Sequence, residues 1–402
     1  METSRNIQGS GGLINEVTTL LRTRMRDYAM YVALAVIFIF FGIFTGGSFL
    51  SPRNITNLIN QTGYIAVLAV GMTLVLIIRQ IDLSVGYAAG FLGAMAATFM
   101  VKFGIPIYLV IPMVLIFGMV IGLIQGFTVS YVGVPAFVTT LAFHFIFRGL
   151  LSLSTQESGT IRIDVAAYNN LSNGFVPDIG SVGGLHLVSL FVGAIAVVLA
   201  IMAQIKQRKN LLHYNFEVVS LPVFIFKLIF TGAAIATVAV VLAQYQGLSW
   251  TIVIVSIVVS IYNFMMNKTR LGRYIYGIGG NQEAAMLAGV NVKRTMLFVF
   301  MSMGTLAALS GILFTSRLQS ASPIAGQGFE LDSIAACYIG GVSTSGGIGK
   351  VGNTIIGALV IMSLTNGLNL MGIGISYQYV IKGAIFVLAV AFDVYTRGRK
   401  AI

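Results

Sequence analysis

The sequence predicts an all-α integral membrane protein, a polytopic bundle of about twelve transmembrane helices with both termini on the same side. Three observations carry this. Hydrophobic residues make up 57% of the 402 residues and charged residues only 9%, against roughly a quarter charged in soluble domains. Apolar runs recur at lengths near the roughly 20 residues that cross a bilayer as a helix. The basic residues collect in alternate connections between those runs, the asymmetry that orients a membrane protein.

Taken in order, the predicted spans are 28–48, 59–79, 84–101, 106–127, 135–154, 187–204, 221–241, 248–266, 296–316, 331–347, 351–371 and 378–396. The segment 331–347 is the weakest, rich in small residues and read as short or partly re-entrant. Residues 1–27 precede the first span as a polar segment, and that span is longer than a signal-peptide core. Within it, Leu13, Ile14, Val17, Leu20 and Leu21 followed by Arg22, Arg24 and Arg26 suit a helix lying on the membrane surface. A disordered tail is the alternative. Residues 397–402 form a basic tail, and 28–396 form one membrane domain, since no connection is long enough for a separate soluble fold.

With the N-terminus inside, the inner side receives Arg5, Arg22, Arg24, Arg26, Arg79, Lys206, Arg208, Lys209, Lys268, Arg270, Arg273, Lys293, Arg294, Lys350, Arg397, Arg399 and Lys400. The outer side receives Arg53, Lys102, Arg148, Arg162, Arg317 and Lys382, with Lys227 at an inner helix end. This places loops 205–220 and 267–295 in the cytoplasm and the polar loop 155–186 outside. The net charge of +12 is therefore a membrane-orientation signal and not a nucleic-acid surface. Glycine pairs at Gly42/Gly46, Gly86/Gly90, Gly118/Gly122 and Gly122/Gly126 predict close helix–helix approach.

Several chemistries are excluded by pattern. Gly347–Gly352 matches a dinucleotide GxGxxG but joins two membrane spans instead of following a strand. The overlapping stretch is no phosphate-binding P-loop, because Thr344 and Val351 occupy positions that require Gly and Ser or Thr. One cysteine, Cys337, permits no internal disulfide, and His144, His186 and His213 lack metal-ligand spacing. Asp82, Glu330, Asp332 and Asp393 fall near span ends, where a local ion pair or helix cap is expected; no deep ionisable pair of the kind a self-powered carrier needs is evident. No catalytic residue, cofactor or metal site is predicted.

The positive signal lies in loop 267–295. Asn281 is placed as a helix N-cap, Glu283 sits in the first turn, and Gly289 is placed as the stop after Gly280–Ala288. The result is a helix of about two turns, too short to hold alone in water, with Ala284, Ala285 and Ala288 offered to a partner groove. An ordinary interfacial loop helix is the alternative.

These residues, Thr269–Tyr276, Gly280–Ala285 and Ala288–Val292, resemble the permease subunits of ribose-, xylose- and galactose-type ATP-binding-cassette importers. Gln80–Gly86, Gly328–Ala336, Gly340–Gly347 and Asn366–Gly372 extend the resemblance from about 55 to 395. It implies a multi-pass protein of the bacterial cytoplasmic membrane that forms a translocation path for a monosaccharide. It implies as partners a second permease copy, a cytoplasmic ATPase and a periplasmic sugar-binding protein, with the loop around Glu283 as coupling element. The simpler ribose-type members have about ten spans; the extra apolar pair near 187–241 is closer to the xylose or multiple-monosaccharide branch. A neutral sugar needs hydrogen-bonding groups and flat apolar faces, so Thr139 with Phe143 and Asn366 with Asn369, each pair on one helix face, are candidate path residues; helix–helix bonding is their other reading. A self-powered secondary transporter or channel for a small polar solute, and an intramembrane enzyme, are the rival classes.

Overall fold

The structure is a computed structural model and describes residues 25–156, 159–216 and 218–398. The predicted surface helix lies outside them as far as residue 24, as do the end of the tail, 399–402, and Glu157. The main helices are α1 (Met25–Phe44), α2 (Pro52–Ile77), α3 (Val85–Val101), α4 (Ile107–Phe127), α5 (Ala136–Thr155), α6 (Ala166–Asn173), α7 (Leu187–His213), α8 (Leu221–Ala243), α9 (Trp250–Lys268), α10 (Arg270–Gly280), α11 (Gln282–Leu287), α12 (Val292–Leu318), α13 (Phe329–Ile339), α14 (Val351–Leu370) and α15 (Ile375–Gly398). Four two-residue strands complete the set: β1 (Ile161–Arg162), β2 (Ser181–Val182), β3 (Leu185–His186) and β4 (Ser320–Ala321).

Each of the twelve predicted apolar runs overlaps a helix, although 331–347 is helical only as far as Ile339. Among the described residues, eight helices are long and apolar enough to cross a membrane, and α3 and parts of α1 and α15 are shorter apolar helices. The local reasons are those the residue types supply. Ser51 caps α2 by accepting from the Asn54 amide at 3.4 Å, with Pro52 at the first helical position. Thr269 and Asn291 cap α10 and α12 in the same way. The tail predicted from 397 begins inside α15, which runs to Gly398.

The chain divides into two compact units. Among the described residues, one comprises 25–29, 177–216 and 218–247. Here α7 and α8 form an antiparallel hairpin, with Gly193 set against Ala239, below the β2–β3 hairpin. Both helices are apolar nearly all round, with only 11% of their most apolar stretches buried. This unit coincides with the extra apolar pair that the sequence sets apart.

Among the described residues, the second unit comprises 30–156, 159–176 and 248–398. Its centre is α2 and α12, whose most apolar stretches are 83% and 67% buried. The predicted small-residue contacts are present on α3 and α4: a side chain on Gly118 or Gly122 would strike the backbone of Gly304 or Phe300 on α12, and one on Gly90 the backbone of Ala325. The Gly42/Gly46 pair is a correction. Gly46 lies in the turn after α1 with open space around it, so no helix packs there.

The first half of loop 155–186 is folded onto the end of α12. β1 pairs with β4 (Ile161↔Ala321), Tyr168 Oη meets Thr315 Oγ1 at 2.7 Å, and the Ser172 amide donates to Ser316 Oγ at 3.0 Å. In the other unit, Asp178 accepts from the amides of Ile179 and Val188 at 2.9 and 3.0 Å and contacts His186 Nδ1 at 2.7 Å. Chiefly through the Val188 amide, these bonds hold its carboxyl below the ordinary aspartate range.

The weak segment 331–347 is a half-helix. α13 has 11 residues, about 16 Å at 1.5 Å per residue, against about 30 Å of hydrocarbon. Ala321 pairs with Ile161 at one end of the bundle, while Gly326 already lies against Gly86 and Phe329 stacks on Tyr64, the middle of α2. Residues 322–328 therefore run non-helically into the bundle before α13 begins. Non-helical backbone at this depth is tolerated only where protein or water satisfies it.

Candidate functional site

Residues 267–295 build a two-helix projection. Asn281 has extended backbone angles, and its side chain accepts from the Ala284 amide at 3.0 Å, as expected of an N-cap. At the other end Gly289 adopts φ +83°, its amide donates to Met286 O and that of Val290 to Ala285 O, both at 3.0 Å. That pair of bonds closes a helix with a left-handed residue, a place glycine takes without a Cβ penalty. α11 itself is six residues, shorter than the expected two turns.

The face of α11 differs from expectation. Ala285 is buried at 8% exposure and points back toward Gly277 of α10, so it does not face outward. Glu283, Ala284 and Ala288 are exposed, as are Asn281 and Gly280, and the largest free apolar groups are Met286 at 61% and Leu287 at 87%. The sequence reading missed these two because it took the alanines as the contact surface. On a six-residue helix bonded back through position 285, the next two positions must point away.

The projection is tied to the bundle through Arg79 and Tyr276. Arg79, at φ +62° after α2, donates from Nε to Gly279 O at 2.7 Å and from an Nη to Gly280 O at 2.6 Å. The Gly347 amide donates to Ile77 O at 2.9 Å, and Tyr276 Oη donates to Gly349 O at 2.7 Å. The end of α2, the end of α10 and loop 340–350 thus meet at one point. Gly347 and Gly349 of the failed dinucleotide match line this junction, where a side chain would meet the Gly280 amide and the Ile77 side chain, and a side chain on the neighbouring Gly279 or Gly346 would collide with Ile77 O or Arg79.

The predicted path residues occupy two separate contacts. Thr139 and Phe143 sit on α5, which packs on α3; Thr139 is buried with its hydroxyl unpartnered, and Phe143 packs against Phe147 at 5.6 Å. Asn366 and Asn369 sit on α14. Asn366 exchanges two bonds with Asn54 of α2, at 2.9 and 3.2 Å, and Asn369 accepts from Gln378 of α15 at 2.7 Å. Their amides are therefore engaged in tying α14 to its neighbours.

The acidic residues require correction. Asp82 is buried and makes no ion pair with Arg79; its Oδ1 accepts from the Ser84 amide and hydroxyl at 2.9 and 2.6 Å, setting the turn into α3. Glu330 is buried against Gly86, with Oε2 unpartnered. Asp332 is not at an outer boundary: it lies in the first turn of α13, and Lys382 Nζ of α15 reaches both its oxygens at 3.1 Å. A deep ionisable pair therefore exists, 50 residues apart in sequence, which is why local spacing did not reveal it. Nearer the end of α12, Arg317 bonds Asn173 and Asn57 at 3.3 and 3.4 Å.

α9 carries a further pattern. Ser256, Ser260, Asn263 and Asn267 are all exposed and recur at helical spacing. Beside them a groove of about 320 Å³ runs between α9 and α14, lined by Val255, Ser256, Val259, Ser260, Gly352, Ile355 and Ile356. Among the described residues, no three His, Cys, Asp or Glu side chains converge on one point.

Comparison with known proteins places this arrangement. Residues 54–390 match the family model described as "Branched-chain amino acid transport system / permease component". The chain is 37% identical over 374 residues to the xylose transport system permease protein of Haemophilus influenzae, covering 93% of this chain and 97% of that one. It is 36% identical over 375 residues to its Escherichia coli K12 counterpart, 93% of each chain. It is 35% identical over 352 residues to the ribose import permease protein of Haemophilus influenzae, 88% of each chain. No solved structure matches. The chain therefore belongs to the branched-chain amino acid transport system permease family, within its xylose- and ribose-type branch, and is a multi-pass permease subunit of an ATP-binding-cassette importer.

Proposed function

We propose that this permease forms the path by which a monosaccharide crosses the bacterial cytoplasmic membrane, driven by a separate cytoplasmic ATPase that docks on α11. The observation that carries the reading is Leu287, 87% exposed beside Met286 at the tip of a capped helix in a basic connection. Large apolar side chains grouped on a polar surface mark a protein contact. The sugar class rests on likeness to xylose and ribose permeases.

The orientation follows the basic-residue asymmetry, with both termini in the cytoplasm. It is supported by the gathering of Arg79, α10, α11 and Lys350 at one junction, and of β1, β4 and α6 at the end of α12. A periplasmic sugar-binding protein then meets the latter surface. The exposed polar stripe of α9 supports a second permease copy, since four polar side chains facing lipid are costly even with Asn267 Nδ2 donating to Asn263 Oδ1 at 2.7 Å. This chain itself carries out no covalent chemistry.

The Asp332–Lys382 pair favours a second reading, a self-powered carrier. Affinity purification of the tagged chain from its native membrane separates the two. A co-purifying ATPase, whose hydrolysis in proteoliposomes is stimulated by a sugar-loaded binding protein, is the expected result. Uptake that persists without any ATPase and follows an ion gradient would overturn it.

A further inference from the structure

We propose that the permease holds its own sugar-binding site at mid-depth, built from Gln61 and Tyr64 of α2, Phe314 of α12, Phe329 and Asp332 of α13, and Lys382 of α15. The proposal rests on the sugar-importer reading and deepens it by naming the residues that handle the substrate inside the path.

Depth comes first. Tyr64 lies 13 residues before the end of α2, about 20 Å at 1.5 Å per residue. Its ring stacks on Phe329 at 4.9 Å, so the start of α13 is at the same level, and Asp332 follows within the first turn. The site is therefore well inside the roughly 30 Å hydrocarbon span, next to the non-helical segment 322–328 that precedes α13.

Accessibility and unmet bonding come next. The Asp332 and Lys382 side chains each keep 19% exposure, although they pair at 3.1 Å. An ion pair left partly open at this depth needs water or a polar ligand. Gln61, three residues before Tyr64 on the same helix face, has a buried Nε2 with no partner among the described residues. An amide donor without an acceptor is costly in a low-dielectric setting. Both groups remain short of contacts that a bound solute would supply.

The ligand class follows from the mixture. Tyr64, Phe314 and Phe329 pack mutually at 4.8 to 5.1 Å and form an aromatic wall. Sugars combine flat C–H faces, which suit such a wall, with hydroxyls that both donate and accept. Asp332 accepts, Lys382 donates, and the Gln61 amide donates. Because the two charges already neutralise each other, a neutral sugar adds bonds without breaking the pair. A zwitterionic amino acid would have to separate Asp332 from Lys382 to be bound.

The test uses the full chain with its co-purified ATPase in proteoliposomes, with Cys337→Ala and Gln61→Cys. A charged, membrane-impermeant thiol reagent should label position 61. D-xylose or D-ribose should slow labelling with concentration, while L-leucine and glycerol should not. A Phe226→Cys control on α8, where that side chain is 69% exposed, should stay unlabelled. Adding Asp332→Asn should raise the half-protecting sugar concentration about tenfold, as expected for one charge-assisted bond, with ATPase co-purification unchanged. No labelling at position 61, labelling that neither sugar slows, or protection by leucine instead would each overturn the site. If the Gln61→Cys chain fails to accumulate, Tyr64→Cys is read the same way. Failure of the importer reading itself is seen separately, as absence of a co-purifying ATPase whatever the labelling result.

Discussion

Leu287→Ala separates docking from folding at the proposed coupling helix. The side chain is 87% exposed in the chain alone, so removing it should change the permease's own stability by less than about 0.5 kcal/mol. If an ATPase groove buries it, about 1.5–3 kcal/mol of burial free energy is lost, a roughly tenfold to 150-fold weaker complex. Ala285→Leu is the informative contrast. Ala285 is buried toward Gly277, so the added volume strains the projection itself at about 1–3 kcal/mol. It should disturb docking only through that distortion. Glu283→Ala should be milder still, because a first-turn acid contributes about 0.3–1 kcal/mol to its helix. The assay is titration of purified ATPase onto the detergent-solubilised permease, with a melting curve for each variant. Unchanged affinity for Leu287→Ala would refute the assignment of this tip as the docking surface.

Cysteines at Lys209 and Lys293 in a Cys337→Ala chain should stay unlabelled by impermeant reagent in intact cells, while one at Arg162 should label; the reverse pattern would invert the topology. Gly304→Ala should destabilise by about 1–3 kcal/mol or prevent folding, because its Cβ would meet the backbone of Gly118, whereas Gly352→Ala, with open space, should be near neutral in a melting assay. Asp178, held below its ordinary pKa, stabilises the β2–β3 turn fully above the ordinary aspartate value and loses that contribution as pH falls through its lowered folded value; amide exchange at Val188 should accelerate over that acid window and do so at neutral pH in Asp178→Asn. Arg79→Gln should leave sugar-site labelling intact but uncouple ATP hydrolysis from uptake, and unaltered coupling would show that the junction is only structural.

Helix positions were legible in the sequence because apolar length is imposed by the bilayer, independently of tertiary packing. The caps at Asn281 and Gly289 were legible for a similar reason, since both depend on backbone geometry within a few residues. What was not legible depends on distant partners. Ala285 and Leu287 are both apolar and only two residues apart, and only the closure of α11 on α10 decides which one faces inward. Asp332 reads as a boundary acid until α13 is seen to begin at the level of Tyr64. The weak, small-residue run at 331–347 did carry a signal, because a span too poor in apolar residues is one that need not face lipid along its whole length.

The geometry relates the docking tip to the proposed sugar site through two rigid elements. α11 follows the end of α10 across the single extended residue Asn281; the carbonyls at that end hold Arg79, and the same junction includes Ile77 and Gly347. From there α2 leads up to Gln61 and Tyr64, while loop 340–350 leads into α13 and so to Asp332 and Phe329. Contiguity alone does not establish coupling; an element with two arrangements is also needed. The best placed is the break before α13. Gly326 and Gly328 have φ of +82° and +83°, and α13 is not continuous with any helix above it. A half-helix held at its lower end by the junction next to the proposed docking helix, and at its upper end by Phe329 on Tyr64 and Phe314, Glu330 against Gly86 and the Lys382 pair, can tilt without breaking a helical hydrogen-bond ladder. An uninterrupted span in the same place would transmit force but would have no low-cost way to alter the site.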